Sequence, residues 1–270
     1  MTRRAELEAE IAAYEQRLRC VSGDDPGRPP LLNNLAVRLR ARFGLTGDQS
    51  DLERAIQACQ EIVATIDPAC PDAPDYLNGL GNCLADRFAL HGSADDLDAA
   101  IAAYEGAVNR SAQRSADTSS FEANLASALA DRYRRDGSVE DLDRAIGTVE
   151  RIWAAGRGDA AERAALAANY SSMLQDRYAA TGSLEDLDRA SDVAKIGLAG
   201  CSSGTVGHTM LLTNLGGALL GRFERTKRRE DLDAAVEAFQ AGLAQTDEIG
   251  AGPRPPPEQP RHCPGSPGPR

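Results

Sequence analysis

Aromatic residues are scarce in this chain of 270 residues, which holds one tryptophan, six tyrosines and five phenylalanines. Sites that stack bases or cage cations need clustered aromatic rings, so this composition argues against both kinds of site. Basic residues are also outnumbered by acidic ones, 30 to 41, which gives a formal net charge of −11 at pH 7. Because proteins that bind nucleic acid usually carry a basic surface, the sequence predicts no nucleic-acid partner.

Long apolar segments are absent as well. The sequence has no run of 18 apolar residues, and its first residues, MTRRAELE, are too polar for the core of a signal peptide. We therefore expect a cytoplasmic protein with no membrane partner. The six cysteines contain no CxxC pair, and Cys59 and Cys83 fit helical patterns as small apolar residues. This usage predicts reduced, structural thiols.

Motifs of catalysis and metal binding are missing too. The sequence has no HExxH, P-loop, GxSxG or GxGxxG motif, and its three histidines are scattered. His262 and Cys263 are adjacent in a proline-rich segment, whereas a catalytic dyad needs two side chains held by a scaffold. The sequence therefore predicts that the protein is not an enzyme: it predicts no catalytic residue, no cofactor and no metal site.

What the chain does have is a repeat of 45 residues. An arginine followed by Phe or Tyr recurs at this step, at Arg42, Arg87, Arg132, Arg177 and Arg222. An aspartate followed by leucine keeps the same step, at Asp51, Asp96, Asp141, Asp186 and Asp231. Repetition without insertion indicates one supersecondary unit that occurs in tandem.

Each unit has the pattern of two amphipathic helices, which we name helix A and helix B. Helix A carries apolar residues four positions apart, which fall on one helical stripe. A small residue within that stripe lets a neighbouring helix approach closely; these residues are Ala36, Gly81, Ala126, Ser171 and Gly216. Helix B repeats an alanine three residues after its first leucine, at Ala55, Ala100, Ala145, Ala190 and Ala235.

The turn from helix A to helix B has its own pattern. Glycine is placed for the left-handed residue that follows a helix in four units, at Gly47, Gly92, Gly137 and Gly182. Lys227 takes this place in the fifth unit, which predicts a distorted or strained turn there. Helix B then opens with serine in the middle units, at Ser93, Ser138 and Ser183, and these hydroxyls are expected to cap the helix.

Helix pairs in tandem predict an all-α protein, an α-solenoid of helix-turn-helix repeats in which stacking builds one continuous core. We expect the solenoid over residues 1–250, with five repeats at about 29–66, 74–110, 119–155, 160–199 and 206–245. Residues 5–18 match helix B alone and are predicted to form an N-terminal capping helix. Glu10 takes the place of the repeated alanine in that helix, where its carboxylate is expected to meet water.

The C-terminal end of the pattern differs. The fifth helix B keeps Ala235, Val236 and Phe239, and no helix A pattern follows it. Residues 251–270 contain eight prolines, a composition that predicts a disordered tail. The last repeat is therefore expected to leave an apolar edge. We predict self-association through that edge, with a partner chain, a further domain or the tail as other ways to cover it.

Specific residues resemble a known family. Helix B of the second unit carries Ala100-Ile-x-x-Tyr104-x-x-Ala107, and its helix A carries Leu80-Gly81-x-x-Leu84. These residues resemble the tetratricopeptide repeat, which has Leu-Gly in helix A and Ala, an aromatic residue and Ala in helix B. The usual period of that repeat is about 34 residues. We attribute the longer period here to about two extra helical turns shared between helices A and B.

A narrower resemblance concerns the run from Asn124 to Ile146. It is similar to the long tetratricopeptide arrays of CHAT-domain proteins, in which the array commonly precedes a caspase-like peptidase. The resemblance spans residues 5–245 and implies a non-catalytic scaffold that binds a protein or peptide and regulates a CHAT-type peptidase. The alternative is a truncated remnant of a larger CHAT-domain protease that has lost its catalytic domain.

Asparagines on helix A are the candidate partner-binding residues. They recur at Asn34, Asn124, Asn169 and Asn214, and Gly79 takes their place in the second unit. One interpretation is that each amide hydrogen-bonds to a neighbouring helix or turn and fixes the repeat angle. The other is a ladder along a concave groove that grips a peptide backbone. A carboxylate clamp would need repeated basic residues, which the next positions lack; these are Arg38, Cys83, Ala128, Met173 and Ala218.

Charged residues at the turn complete the pattern. Each repeated arginine lies nine residues before the repeated aspartate, which predicts an ion pair across the turn. An exposed pair of this kind would contribute only ~0–1 kcal/mol. The acidic residues that open helix B are expected to be solvated and to form a negative ridge. Within helix B, Glu140 with Arg144 and Glu185 with Arg189 have the spacing of i,i+4 pairs.

Overall fold

The structure is a computed structural model that describes residues 2–67, 69–113 and 117–250. Within this part of the chain there are eleven α-helices and no β-strand. The helices are α1 Arg3–Arg19, α2 Arg28–Thr46, α3 Gln49–Thr65, α4 Ala73–His91, α5 Ala94–Ala112, α6 Ser119–Asp136, α7 Val139–Ala155, α8 Ala160–Thr181, α9 Leu184–Gly200, α10 Val206–Thr226 and α11 Arg229–Gly250. The proline-rich segment with His262 and Cys263 lies outside the described residues.

The helices alternate as the repeat predicts. Helices α2, α4, α6, α8 and α10 are the A helices, and α3, α5, α7, α9 and α11 are the B helices. Each B helix except α11 packs against its own A helix and against the next one. This arrangement is an all-α helical-repeat solenoid, and it confirms the predicted fold class. Helix α1 packs on α2 as a single helix at the N-terminal end.

The curvature of the solenoid follows from which helices touch. The backbones of consecutive A helices lie close together along the whole series, whereas those of consecutive B helices lie further apart throughout the described residues. The A helices therefore line the inner, concave side. Ion pairs bridge the wider spacing between B helices: Arg144 binds Glu105 and Arg189 reaches Glu150 on the preceding B helix, at 2.8 and 3.4 Å. The predicted i,i+4 pairs of these arginines do not form.

One hydrophobic core runs through the repeats from Ile11 to Ala218. The repeated alanine of helix B is almost fully buried in every repeat, at Ala55, Ala100, Ala145, Ala190 and Ala235. Gly81 lies against the ring of Tyr104, and Gly216 lies against that of Phe239. The small residues of helix A thus admit a large residue from their own helix B, which is the close approach that the sequence predicts.

The turns from helix A to helix B have the predicted glycine geometry, but most of the predicted serine caps do not form. All four predicted glycines have positive φ and end their A helix. Lys227 adopts the same left-handed geometry, with φ 58° and ψ 20°, and its N–H still bonds to the carbonyl of Phe223 at 2.8 Å. The fifth turn is therefore regular in shape. Among the three serines predicted to cap helix B, only the Ser138 hydroxyl accepts a bond from the helix.

The N-terminal helix carries an ion pair that the sequence does not predict. The Glu10 carboxylate meets the guanidinium of Arg38 on α2, with 2.6 Å between Oε2 and Nε. The Glu10 side chain is still 41% exposed, so it both pairs with Arg38 and meets water. Arg38 occupies the helix-A position that is filled by buried Cys83 in the next repeat. Because this position faces the preceding B helix, a charge there needs a partner on α1, and Glu10 supplies it.

Candidate partner-binding groove

The concave side is built from one face of each A helix, which we call the A-face. It comprises the position of Asn34, the position four residues before it and the positions three and seven residues after it, those of Pro30, Val37 and Ala41, together with their counterparts in the other repeats, among them Met210. Residues at this spacing share one side of a helix. Consecutive A helices pack along this side, so the five A-faces join into one surface.

Three of the four predicted asparagines bridge consecutive A helices. The Asn124 amide donates to Oδ1 of Asn78 on α4, and the Asn214 amide donates to the carbonyl of Ala168 on α8, both at 2.8 Å. The Asn169 amide donates to the hydroxyl of Ser127 on α6, also at 2.8 Å. Each bond joins an A helix to the one before it, as the first interpretation of the series expects. The amide oxygen of each asparagine is an additional acceptor on the A-face.

The first two repeats differ from this arrangement. No A helix precedes α2, and Asn34 is exposed beside a cleft formed with the end of α1, near Arg17 and Cys20. Gly79 takes the asparagine position on α4, and a Cβ atom there would lie 3.4 Å from Oδ1 of Asn33. The asparagine series is thus continuous only from α6 to α10.

Two clefts open between A helices. The larger has a volume of about 420 Å³ and lies between α2 and α4, where Gly79 leaves space between Asn33, Val37 and Asn82. The smaller, of about 170 Å³, runs from α6 to α10 and is lined by Asn169, Asn214 and Met210. Met210 is 48% exposed. The A-face therefore combines amide groups with exposed apolar surface.

Ion pairs on the A-face are functional candidates that the sequence analysis missed. Arg40 on α2 donates two hydrogen bonds to Asp86 on α4, at 2.5 and 3.2 Å. Arg134 on α6 binds Asp176 on α8 and Asp131 on its own helix, with shortest N–O distances of 2.7 Å to each. Burial raises the pKa of Asp131. Asp86, Asp131 and Asp176 each stand directly before a repeated arginine. This recurrence at a step of 45 residues would have identified the acidic partners of these ion pairs.

The positions that were expected to adjoin the asparagines in the groove do so only in part. Four of the five are buried: Cys83, Ala128, Met173 and Ala218. Cys83 and Met173 line the floors of the two clefts, whereas Ala128 and Ala218 line neither. A residue four positions after Asn34 is rotated toward the preceding repeat, whereas the exposed side of the groove continues at three and seven.

The arginine–aspartate pairs at the turns form in all five repeats. Arg42 binds Asp51 through two hydrogen bonds of 2.6 Å, and the same pair joins Arg87 to Asp96, Arg132 to Asp141, Arg177 to Asp186 and Arg222 to Asp231. All five aspartates are buried, so the expectation of solvated caps is wrong for them. It holds for the acidic residue before each of the last four, which is exposed: Asp95, Glu140, Glu185 and Glu230. Hydrogen bonds from the guanidinium lower the pKa of Asp141 and of Asp231. These pairs belong to the scaffold because each joins helix A to helix B of one repeat.

The described residues contain neither a metal-binding cluster nor a membrane-spanning helix. No group of three or more His, Cys, Asp or Glu side chains is placed to hold a metal ion in the part of the chain that the structure covers. None of the helices described there is long and apolar enough to cross a membrane. The five cysteines in this part are free thiols, and Cys59 and Cys83 are buried.

Comparison with known proteins supports the fold. The model of a tetratricopeptide repeat family matches residues 31–68, a span that begins in α2 and includes all of α3. No curated protein matches the sequence.

Solved structures share the architecture. The structure of a kinesin light chain-like protein from Podosopora anserina, with nearly identical TPR-like repeats, is 16% identical and covers 83% of this chain and 97% of that one, with a TM-score of 0.54. BtubC from P. vanneervenii is 19% identical and covers 97% and 99% of the two chains, with a TM-score of 0.49. YrrB, a TPR protein with an unusual peptide-binding site, is 16% identical and covers 78% and 92%, with a TM-score of 0.46. At such identities the first likeness shows the fold alone.

Proposed function

We propose that this chain is a non-catalytic scaffold whose A-face binds an extended segment of a protein or peptide partner. The observation that carries the proposal is the cleft along α6, α8 and α10, where Asn169 and Asn214 lie beside the exposed side chain of Met210. Amide groups pair with a peptide backbone in any sequence, and an exposed apolar residue adds affinity for an apolar side chain. A solenoid repeats this combination along an extended concave surface.

Replacing the asparagines tests this proposal. A peptide-display screen on the full chain first supplies a ligand. The triple variant Asn124→Ala, Asn169→Ala and Asn214→Ala is then expected to bind that ligand at least about tenfold more weakly, because each lost hydrogen bond is worth about 0.5–1.5 kcal/mol. Isothermal titration calorimetry would measure the affinity, and circular dichroism would verify that the variant is folded at the working temperature.

A matched control separates groove binding from general effects. Asn109 is exposed near the end of α5, away from the A-face, so Asn109→Ala should leave the affinity unchanged. Unchanged affinity in a folded triple variant would show that the asparagines do not bind the peptide. A second variant, Met210→Glu, should weaken binding without removing any hydrogen bond that joins A helices, because Met210 is exposed in the same cleft.

We further propose that the partner is a caspase-like CHAT peptidase on a separate chain, in line with the resemblance of the run from Asn124 to Ile146. Affinity purification from the native cell, followed by mass spectrometry, should recover a CHAT-domain protein, and its peptidase activity should change when this chain is added. Recovery of partners without any such domain would remove this part of the proposal, while the A-face would still be open to the peptide test.

The remnant interpretation stays as the alternative, supported by the exposed apolar residues Val236, Phe239 and Leu243 on α11. Translating the DNA beyond codon 250 in the other two frames distinguishes the two, because a sixth repeat there would favour the remnant. Self-association through this edge belongs to the same alternative, and it competes with the docking of a different protein that is argued below. Light scattering on the full chain distinguishes the two, since a monodisperse monomer would contradict self-association.

A further inference from the structure

Helix α11 has an apolar face that the described residues leave partly exposed. Val236, Phe239 and Leu243 are 44, 38 and 65% exposed. They are three and four positions apart, so they form one stripe on the helix. A contiguous exposed apolar stripe that is flanked by polar residues is typical of an interaction surface.

The earlier repeats show what such a stripe binds. The counterparts of Val236 are Ile56, Ile101, Ile146 and Ser191, and each of them is at most 3% exposed. In each case the B helix packs against the A helix of the next repeat, which α11 lacks among the described residues. The face of α11 is therefore the continuation of an interface that the chain already forms between α3 and α4, α5 and α6, α7 and α8, and α9 and α10.

A carboxylate beside the stripe specifies the partner further. In three repeats an acidic residue near the start of helix B pairs with the repeated arginine of the following helix A. These pairs join Glu53 to Arg87 at 3.0 Å, Asp98 to Arg132 at 3.7 Å and Asp188 to Arg222 at 2.8 Å. Asp233 holds this position on α11, where it is exposed and makes no ion pair with any described residue. The edge thus presents both an apolar stripe and the acceptor for one arginine.

We propose that the exposed face of α11 docks an amphipathic helix pair of this repeat type from another protein chain. The apolar stripe of the incoming helix A covers Val236, Phe239 and Leu243, and its arginine binds Asp233. A second copy of this chain is a poorer fit, because each of its A helices is already packed on a preceding B helix, and α2 is covered by α1. This proposal is independent of binding at the A-face.

A helix pair of the chain itself is a suitable probe. Residues 119–155 comprise α6 and α7, and in the chain α6 packs on α5, whose residues Ile101 and Tyr104 resemble Val236 and Phe239. A fluorescent synthetic peptide of residues 119–155 should bind the full chain saturably in an anisotropy titration. Leu243→Asp should weaken this binding at least about tenfold, because it removes a large apolar contact. Ala241→Asp, exposed on the opposite side of α11, is the matched control and should bind as the unaltered chain does.

Charge reversal tests the arginine contact. Asp233→Arg should weaken binding of the probe, and a probe with Arg132→Asp and Asp141→Arg should restore it. The two changes in the probe keep its internal ion pair in reversed order, so that the charge facing position 233 is inverted while the helix pair stays intact. Rescue by the double change is a result that a general loss of stability in α11 would not give.

Each other outcome contradicts the proposal. Absence of saturable binding by a probe that circular dichroism shows to be helical, or equal loss in Leu243→Asp and Ala241→Asp, would overturn it. A dimer of the full chain that Leu243→Asp dissociates would identify a second copy as the occupant instead. Binding that appears only after residues 251–270 are removed would identify the C-terminal segment as the occupant.

Discussion

Arg132 donates two hydrogen bonds to Asp141 across the turn between α6 and α7, at 2.7 and 2.8 Å. The aspartate is only 8% exposed, so its carboxylate has little other solvation. Removing one partner of such a pair leaves a buried charge without compensation, whereas removing a surface pair changes little. The same geometry recurs in all five repeats, which makes one site representative of the scaffold.

Replacing Arg132 by Gln should therefore lower the free energy of unfolding by about 3 kcal/mol. Urea unfolding monitored by circular dichroism measures the loss. Arg157→Gln is the control, because Arg157 binds Asp117 at the surface, where their side chains are 66 and 56% exposed, so that its loss should cost less than about 1 kcal/mol. Similar effects of the two substitutions would show that the turn pair behaves as an ordinary surface pair.

The pH dependence of stability should show these pairs directly. Hydrogen bonds from Arg132 and Arg222 lower the pKa of Asp141 and Asp231 in the folded state. A lowered pKa means that the folded protein holds fewer protons than the unfolded chain near pH 4, so the contribution is complete above the unfolded pKa. It is lost as the pH falls through the folded pKa. We expect the free energy of unfolding to decrease below about pH 4.

The variant Arg132→Gln supplies the control for the pH experiment. Without the guanidinium, burial is the main remaining influence on Asp141, and burial raises the pKa of a carboxyl group. The decrease in stability on acidification should therefore be smaller in this variant than in the unaltered chain. If the free energy of unfolding fell equally in the two proteins between about pH 7 and pH 3, Arg132 would not be the cause of the lowered pKa of Asp141.

The repeat made the architecture predictable from sequence. A fixed step of 45 residues places each apolar position in the same environment five times, so errors in a single helix do not change the fold. The small residue at Gly81 and the alanine at Ala100 were identified in this way, and both are buried. Local caps were less predictable, since the hydroxyls of Ser93 and Ser183 accept no bond from their helices even though that of Ser138 does.

The groove was predictable only in part. Asn124, Asn169 and Asn214 were found because they recur, and they do lie on the A-face. The contact of Arg40 with Asp86 was missed because it joins two repeats, and only the packing of α2 on α4 brings the two side chains together. The ion pair of Glu10 was missed for the same reason, since its partner Arg38 lies on a different helix. Which charged residues of different repeats meet depends on the angle between the repeats. The pattern of residues along the sequence does not give this angle.

Glycines on helices provide a further prediction with a built-in control. A Cβ atom at Gly81 would lie 2.6 Å from the ring of Tyr104, whereas one at Gly147 on α7 would meet no atom within 4 Å. Gly81→Ala should lower the free energy of unfolding by about 1–3 kcal/mol through overpacking. Gly147→Ala should raise it by about 0.5–1 kcal/mol, because alanine favours the helix. Thermal or urea unfolding would show whether each substitution raises or lowers the free energy of unfolding. A Gly81→Ala variant that is more stable than the unaltered chain would contradict the close packing at Tyr104.

Lys227 offers a test of strain at a single backbone position. It is the one residue other than glycine that has a positive φ in the described part of the chain, and the four equivalent turns have glycine. A left-handed conformation costs an L-residue about 1–2 kcal/mol, while the ammonium of Lys227, 5.5 Å from the centre of the Phe223 ring, recovers about 0.5 kcal/mol. Lys227→Gly should therefore stabilise the fifth repeat by about 0.5–1 kcal/mol. Lys227→Ala keeps the Cβ atom and loses the ring contact, so it should be no more stable than the unaltered chain, and equal stabilisation by both substitutions would refute the assignment to backbone strain.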